Sequence, residues 1–229
     1  MTKAVFFDVD FTLIHPGPAF QGEGYRDFCA RHGMTVDATL FAAAVNSASS
    51  ILDEAQSNVY DPQIFVDYTA HIIRHMGGRG SSVTACAAEM YREWALCQHF
   101  LLYDEVPAAL TDLDKRGLRI GLISNSHRCL ESFQSHFELE GLIDIAISSS
   151  EHGYLKPHPS IFEAALRLAG AQSAEAMMVG DSLKQDIDGA RRVGMKGVLV
   201  RRSEPPHVGD ELVEGVPVIR SLLELPALL

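Results

Sequence analysis

Short apolar runs alternate with helix-like stretches through the second half of the chain, and this alternation constrains the fold more than any other feature. The apolar runs predict strands over residues 119–123, 143–147, 176–179 and 197–200. The stretches between them predict helices over 106–116, 128–137, 160–169 and 184–193, and the tail predicts a last amphipathic helix over 218–229. We therefore expect an α/β fold, with a Rossmann-like parallel sheet and helices on both of its faces.

An N-terminal run from Val5 to Leu13 adds a strand that ends in two acids. Its apolar residues predict a buried strand, and Asp8 and Asp10 stand at the carboxyl end. Open parallel sheets bind their ligands at that edge. Two ionised carboxylates side by side repel each other unless a cation or a shared proton relieves them. The pair thus indicates a functional site, although such pairs also occur on solvated turns.

Residues 15–103 interrupt the pattern. The segment His15-Pro16-Gly17-Pro18 cannot continue a helix or a central strand. Beyond it, apolar residues recur at helical spacing: Tyr25, Phe28 and Cys29; Phe41, Val45, Ile51, Leu52 and Ala55; Ile64, Tyr68, Ile72 and Met76; Val83, Cys86, Met90, Trp94 and Cys97. We expect an all-helical domain over 15–103, inserted into an α/β core formed by 1–14 and 104–229.

Polar groups also lie after two further strands of the expected sheet and on one loop between them. The strand over 119–123 is followed by Ser124 and Asn125, a loop with two prolines carries Lys156, and the strand over 176–179 leads to Asp181 and Asp186. Each has an ordinary explanation, because Ser and Asp cap helices and loop lysines are usually exposed. Together with the first pair of acids, however, their order at successive strand ends predicts one site.

Composition narrows the class of partner. The 229 residues carry a formal net charge of −11, whereas nucleic acids and anionic membranes select clustered Lys and Arg. The pairs Arg191-Arg192 and Arg201-Arg202 are expected at solvated ends of a helix and a strand. Four cysteines without a Cys-x-x-Cys pair predict reduced thiols. We expect a cytoplasmic protein, monomeric or homodimeric, with no signal peptide or membrane span, that acts on a small molecule.

The motifs, taken in order, resemble those of the haloacid dehalogenase superfamily of phosphohydrolases. They are Asp-x-Asp-x-Thr from Asp8 to Thr12, a strand-end serine, a lysine, and Gly-Asp-x-x-x-x-Asp from Gly180 to Asp186. The resemblance covers residues 3–14 and about 104–200, and extends to 15–102 only in length and helical character. The chain departs from the family at Phe11, where glycine is usual. The resemblance implies hydrolysis of a small phosphate ester, with the helical insertion as a mobile cap.

A divalent cation is expected at this site. Four acids beside one lysine leave too much negative charge for a phosphate dianion to enter unassisted, and oxygen-only ligands favour Mg²⁺. By resemblance, the ligands are the side chains of Asp8 and Asp181 and the main-chain carbonyl of Asp10, while Asp186 orients waters or ligands.

The resemblance also implies the remaining roles. Asp8 is the nucleophile that forms an aspartyl-phosphate, and Asp10 is the general acid and base. Charge on the transferring phosphoryl group is stabilised by Ser124, Asn125 and Lys156, and Thr12 steadies the loop by hydrogen bonding.

Single residues distinguish phosphate ester hydrolysis from related reactions of the superfamily. The dehalogenating branch lacks the second acid, so Asp10 favours a phosphate ester. The phosphonate-cleaving branch uses a cap lysine, and no lysine occurs between Lys3 and Lys115. A phosphomutase with the same intermediate, a phosphoacceptor signalling domain and a non-catalytic binding protein remain as alternatives.

Overall fold

The apolar runs pair into a seven-stranded sheet in the order β5-β4-β1-β6-β7-β9-β8. The computed structural model describes residues 1–53, 58–202 and 212–229. Within them the strands are β1 Ala4–Phe7, β2 Ile14–Pro16, β3 Phe100–Leu102, β4 Arg119–Ser124, β5 Ile145–Ser148, β6 Ala176–Gly180, β7 Lys196–Val200, β8 Leu212–Val213 and β9 Val216–Ile219. A separate two-stranded sheet pairs β2 with β3.

Helices fill most of the sequence between these strands. The α-helices are α1 Gly22–Arg31, α2 Phe41–Asp53, α3 Pro62–His75, α4 Ser82–Trp94, α5 Val106–Lys115, α6 Leu130–His136, α7 Ser149–His152, α8 Pro159–Ala169 and α9 Gly189–Arg192. A π-helix spans Leu183–Asp188, and 3₁₀ turns span Pro18–Phe20, Ala38–Leu40, Cys97–His99, Ser173–Glu175 and Leu222–Leu228.

The position of β1 decides where the site forms. It is buried along its whole length and pairs in parallel with β4 on one side and β6 on the other. Phe7 lies opposite Leu122 of β4 and Val179 of β6. The three strands therefore end at one edge of the sheet, and the residues that follow them are neighbours. The predicted α/β fold with a Rossmann-like parallel sheet is confirmed, with an antiparallel pair, β8 and β9, at one edge.

Helix α8 shows how the sequence covers this sheet. Its buried residues recur at helical spacing: Ile161, Phe162, Ala165, Leu166 and Ala169. The helix begins at the His158 side chain, which accepts a hydrogen bond from the Ser160 N–H, and ends at Gly170 with a φ of 61°. Its apolar face packs with Phe6 of β1 and Met178 of β6 in one core cluster. Burial of each large apolar side chain contributes about 1.5–3 kcal/mol.

The chain folds into two units, Met1–His15 with Leu102–Leu229, and Pro16–Leu101. The sheet and its site belong to the first unit. The second is helical, and in it Phe20 packs on Trp94 and Phe100 with ring centroids 4.6 and 5.7 Å away. Ala55, which the periodicity places in a helix of this insertion, lies outside the described residues.

Two predicted helices differ in the structure. The expectation of a helix over 218–229 is wrong, because Val218 pairs with Leu199 of β7 and extends the sheet. A 3₁₀ segment begins only after Ser221, whose hydroxyl and Glu224 form a capping box. The helix expected over 184–193 begins as the π-helix and continues as α9. π-Segments are frequent at functional sites.

Candidate active site

Three carboxylates meet where β1 and β6 end. The Asp8 N–H donates to the Val179 carbonyl oxygen at 2.9 Å, so the residue after β1 is held against β6. One carboxylate oxygen from each of Asp8, Asp181 and Asp186 lies within 4.8 Å of the others. Asp8 and Asp186 are buried. Oxygen donors this close form a site suited to a hard cation.

The positive charge in this cluster does not balance its three carboxylates. Burial, reinforced by the like charge of Asp186, raises the pKa of Asp8 to about 7 even though Lys156 opposes the shift. Burial and the charge of Asp8 likewise raise the pKa of Asp181 well above its ordinary value. A carboxylate is disfavoured in its ionised form when water is removed and a like charge is close. A further cation is the group that would relieve both shifts.

Lys156 is a buried member of the cluster rather than an exposed loop residue. Its Nζ donates to Asp8 Oδ1 at 2.5 Å and to Asp186 Oδ1 at 2.7 Å, and its side chain is 1% exposed. Burial alone would lower the pKa of Lys156, but the charges of Asp186 and Asp8 outweigh it and raise the pKa. The ammonium therefore stays charged between the two acids.

Asn125 holds the backbone of Lys156. The Lys156 N–H donates to Asn125 Oδ1 at 2.7 Å, and Asn125 Nδ2 donates to the Lys156 carbonyl at 3.0 Å and to Gln185 Oε1 at 3.1 Å. The Asn125 side chain thus binds both the N–H and the carbonyl of Lys156, as the backbone of a neighbouring strand would. The role of Asn125 in phosphate binding stays a prediction. Ser124 is buried, and its hydroxyl shares a hydrogen bond with Ser126 Oγ at 2.8 Å.

Gly180 is required by the side chain of Asp186. A Cβ atom at this glycine would lie 2.2 Å from Asp186 Oδ2. That oxygen accepts the Ser182 N–H at 3.0 Å, while the other binds Lys156. The glycine thus lets a carboxylate lie directly on the end of β6, where it anchors both the loop and the lysine.

Replacement of Gly180 by alanine should therefore displace Asp186 and with it Lys156. We expect a loss of about 1–3 kcal/mol in the free energy of unfolding, measured in urea, together with loss of activity. Gly117→Ala is the matched control, because it strains a φ of +75° without any atom within 4 Å of the new Cβ. The control should lose about 1 kcal/mol with activity unchanged. Equal activities of the two variants would contradict this account.

Asp10 is held by an arginine that the sequence reasoning missed. Arg128 Nη1 donates to Asp10 Oδ2 at 3.0 Å, and Arg128 Nη2 donates to Asp10 Oδ1 at 3.1 Å. The four acids therefore face two buried cations, not the one lysine counted from the motifs. An arginine four residues after the strand-end Ser124 was the available signal. It matches no motif, and only the fold brings it to β1.

The turn after Asp10 has an unusual backbone. Phe11 has a φ of 64°, a conformation that glycine adopts freely and a bulky residue rarely does, and it is 46% exposed. Thr12 is buried; among the described residues its hydroxyl has no hydrogen-bond partner, and its carbonyl accepts from Arg202 Nη2 at 2.6 Å. In the structure Thr12 is held through its main-chain carbonyl.

Arg202 corrects the expectation of a solvated basic pair. Its side chain is only 13% exposed, pairs with Glu105 and lies over the Tyr103 ring with Cζ 3.7 Å from the centroid. Arg201 donates to the carbonyl oxygen of Asp181 at 2.5 Å. Both arginines are bound to their surroundings because β7 ends at the same edge of the sheet as the acids.

Comparison with known proteins agrees with this geometry. A family model described as haloacid dehalogenase-like hydrolase matches residues 2–194. The chain belongs to this family. It is 31% identical to the N-acylneuraminate-9-phosphatase of Homo sapiens, over 99% of this chain and 93% of that protein. It is 29% identical to the glyceraldehyde 3-phosphate phosphatase of Pyrococcus furiosus, over 99% and 91%.

A solved structure extends the likeness to another activity of the family. The 2-haloacid dehalogenase of Pseudomonas syringae matches with a TM-score of 0.63 and 26% identity, over 99% of this chain and 97% of that one. The hydrolase fold of this chain is thus shared with enzymes that break different bonds. Activity must be argued from the site residues.

No helix among the described residues is long and apolar enough to cross a bilayer.

Proposed function

We propose that this protein is a Mg²⁺-dependent phosphatase that hydrolyses a small phosphomonoester through an aspartyl-phosphate. The observation that carries the proposal is the buried contact of Lys156 with Asp8 and Asp186 beside Asp181. Such a cluster combines a nucleophile, a fixed cation and ligands for a second cation at one strand edge. The family membership and the two phosphatase relatives support it.

The donor set fits Mg²⁺. The side chains of Asp8 and Asp181 and the main-chain carbonyl of Asp10 would hold the ion, and all three are oxygen ligands. The raised pKa values of Asp8 and Asp181 also mark a place for positive charge. Bound Mg²⁺ would supply Lewis-acid stabilisation of phosphoryl oxygens and would keep the carboxylates ionised. In this proposal Asp186 holds Lys156 and the Ser182 N–H.

The first step is a displacement at phosphorus. A carboxylate oxygen of Asp8 forms a bond to phosphorus, the bond to the ester oxygen breaks, and the leaving oxygen takes a proton from Asp10. In the second step Asp10 takes a proton from water, whose oxygen attacks phosphorus and releases Asp8. The first step uses the proton of Asp10 and phosphorylates Asp8, and the second step restores both residues. The cycle therefore consumes only water and ester.

Lys156 provides the fixed positive charge for this transfer. Its ammonium lies against the nucleophile before substrate binds, and Asn125 keeps its backbone in place. Charge fixed in advance stabilises a transferring phosphoryl group without reorganisation during the reaction. In this proposal Ser124 and Asn125 also stabilise charge on the transferring phosphoryl group.

The relatives suggest a class of substrate. Both phosphatases are named for phosphorylated carbohydrates or their derivatives. We propose a small phosphorylated metabolite of this kind as the substrate. A dehalogenase is disfavoured because halide leaves without a proton, so Asp10 and its arginine would have no task. A phosphomutase remains the alternative that shares all residues.

A panel of phosphate esters tests the proposal. Wild-type protein with Mg²⁺ should release inorganic phosphate from at least one small ester, without added bisphosphate. Asp8→Asn should release none. Turnover of sugar phosphates only with a bisphosphate activator would identify a mutase, and chloride release from a 2-chloroacid would identify a dehalogenase. Either result would contradict the proposal.

A further inference from the structure

The pair formed by Asp10 and Arg128 joins residues from two separate strand ends. Asp10 follows β1, whereas Arg128 lies between β4 and α6, 118 residues later. Two nearly parallel bonds, at 3.0 and 3.1 Å, connect both Nη atoms to both carboxylate oxygens. Bidentate pairing restricts carboxylate rotation as well as position. Asp10 is therefore fixed in orientation by a residue outside the four motifs.

Burial separates the roles of the two residues. The Arg128 side chain is 0% exposed, whereas the Asp10 side chain retains 18% exposure. The carboxylate is partly open to solvent, whereas the guanidinium is enclosed by protein. Both Nη atoms of Arg128 donate to Asp10, so the guanidinium is engaged with this carboxylate. Any effect that it has on chemistry passes through Asp10.

Arg128 uses only part of the hydrogen-bonding capacity of Asp10. A carboxylate offers about four lone-pair positions on its two oxygens, and the two bonds from Arg128 occupy two of them. Arg128 can thus hold the carboxylate in one orientation without filling every lone-pair position.

We propose that Arg128 is the positioning residue for Asp10, and that it sets the geometry in which this carboxyl group serves the leaving oxygen and the attacking water. The inference rests on the proposed function, in which Asp10 is the acid and base. Alignment of a reacting group within a fraction of an ångström is worth orders of magnitude in rate. Loss of Arg128 should therefore lower the rate most for substrates whose leaving group needs a proton.

Leaving-group dependence is the readout. An alkoxide needs a proton as it departs, whereas p-nitrophenolate does not, and kcat/KM reports the step in which the ester bond breaks. We expect Arg128→Met to lower kcat/KM by about 100-fold for an alkyl phosphate and by less than about fivefold for p-nitrophenyl phosphate. With the aryl ester, a burst of one nitrophenolate per site should precede slow turnover, because water activation is also impaired.

Two comparisons exclude a merely structural effect. In an Asp10→Asn background, Arg128→Met should change kcat/KM less than about twofold, because the two residues act as a unit. Arg202→Lys removes another largely buried guanidinium, which contacts Glu105 and the Thr12 carbonyl and not Asp10. It should lower activity on both esters by the same factor. Arg128→Lys keeps the positive charge but cannot form the bidentate pair. It serves as the test variant if Arg128→Met does not fold.

The possible outcomes distinguish failure of this inference from failure of the proposed function. Wild-type protein that hydrolyses neither ester contradicts the proposed function and the inference together. Active wild-type protein with equal losses on both esters after Arg128→Met overturns only the inference. Faster alkyl ester turnover would also overturn it, since the pair would then restrain Asp10. The same leaving-group dependence in Arg202→Lys would assign the effect to general packing.

Discussion

Asp8→Asn is expected to reduce phosphate ester turnover by at least about four orders of magnitude. The asparagine amide is nearly the size of the carboxylate but cannot form the phosphorylated intermediate. The protein should remain folded, because Lys156 keeps Asp186 as a partner and the cluster loses one of its crowded charges. Phosphate release measures the effect, and thermal unfolding of the same sample checks the fold.

Asp112→Asn is the matched control for this variant. Asp112 lies in α5 and pairs with Arg116 at 2.8 Å, with both side chains about half exposed. The chemical change is the same, and an exposed pair contributes only about 0–1 kcal/mol. Activity should therefore be unchanged. Retention of more than a tenth of wild-type activity by Asp8→Asn would show that another group attacks phosphorus.

Removal of divalent cations is expected to abolish turnover in the wild-type protein. Chelation leaves Asp8, Asp181 and Asp186 with Lys156 alone among them, and a phosphate dianion then faces excess negative charge. Activity in EDTA should fall below detection and return when Mg²⁺ is added in excess. Full activity in EDTA would contradict the proposed site.

A stability measurement tests the same cation without any substrate. Mg²⁺ at about 100 times its dissociation constant should stabilise the folded protein by about 2.7 kcal/mol, or about 5–10 °C in Tm for a chain of this length. Asp181→Asn should lose most of this shift because it removes a proposed ligand. An equal shift in the variant would mean that Mg²⁺ binds elsewhere.

Much of the site follows from the order of the strands. Asp8 and Asp181 end apolar runs that a parallel sheet must place side by side, because β1 pairs directly with β6. Burial of Lys156 could not be read from its loop, since a lysine between prolines is exposed by default. The contacts with Asp8 and Asp186 depend on how β1 and the π-helix meet in three dimensions.

Two features lay beyond local sequence reasoning. Arg128 becomes the partner of Asp10 only through a contact across 118 residues, and no spacing rule reports such a distance. The C-terminal tail has a helical apolar pattern, yet Val218 joins β7 as a strand, because the sheet edge offers hydrogen bonds that periodicity does not register. Tertiary pairing outweighed local preference at both places.

Trapping the phosphorylated enzyme tests the central claim most directly. Asp10→Asn protein with Mg²⁺ is mixed with an aryl phosphate, quenched in acid within the first turnover, and digested for peptide mass spectrometry. The account predicts one phosphoryl group per chain, labile to hydroxylamine and located on Asp8. Aryl ester cleavage without a phosphorylated peptide, or phosphate on any other residue, would contradict it.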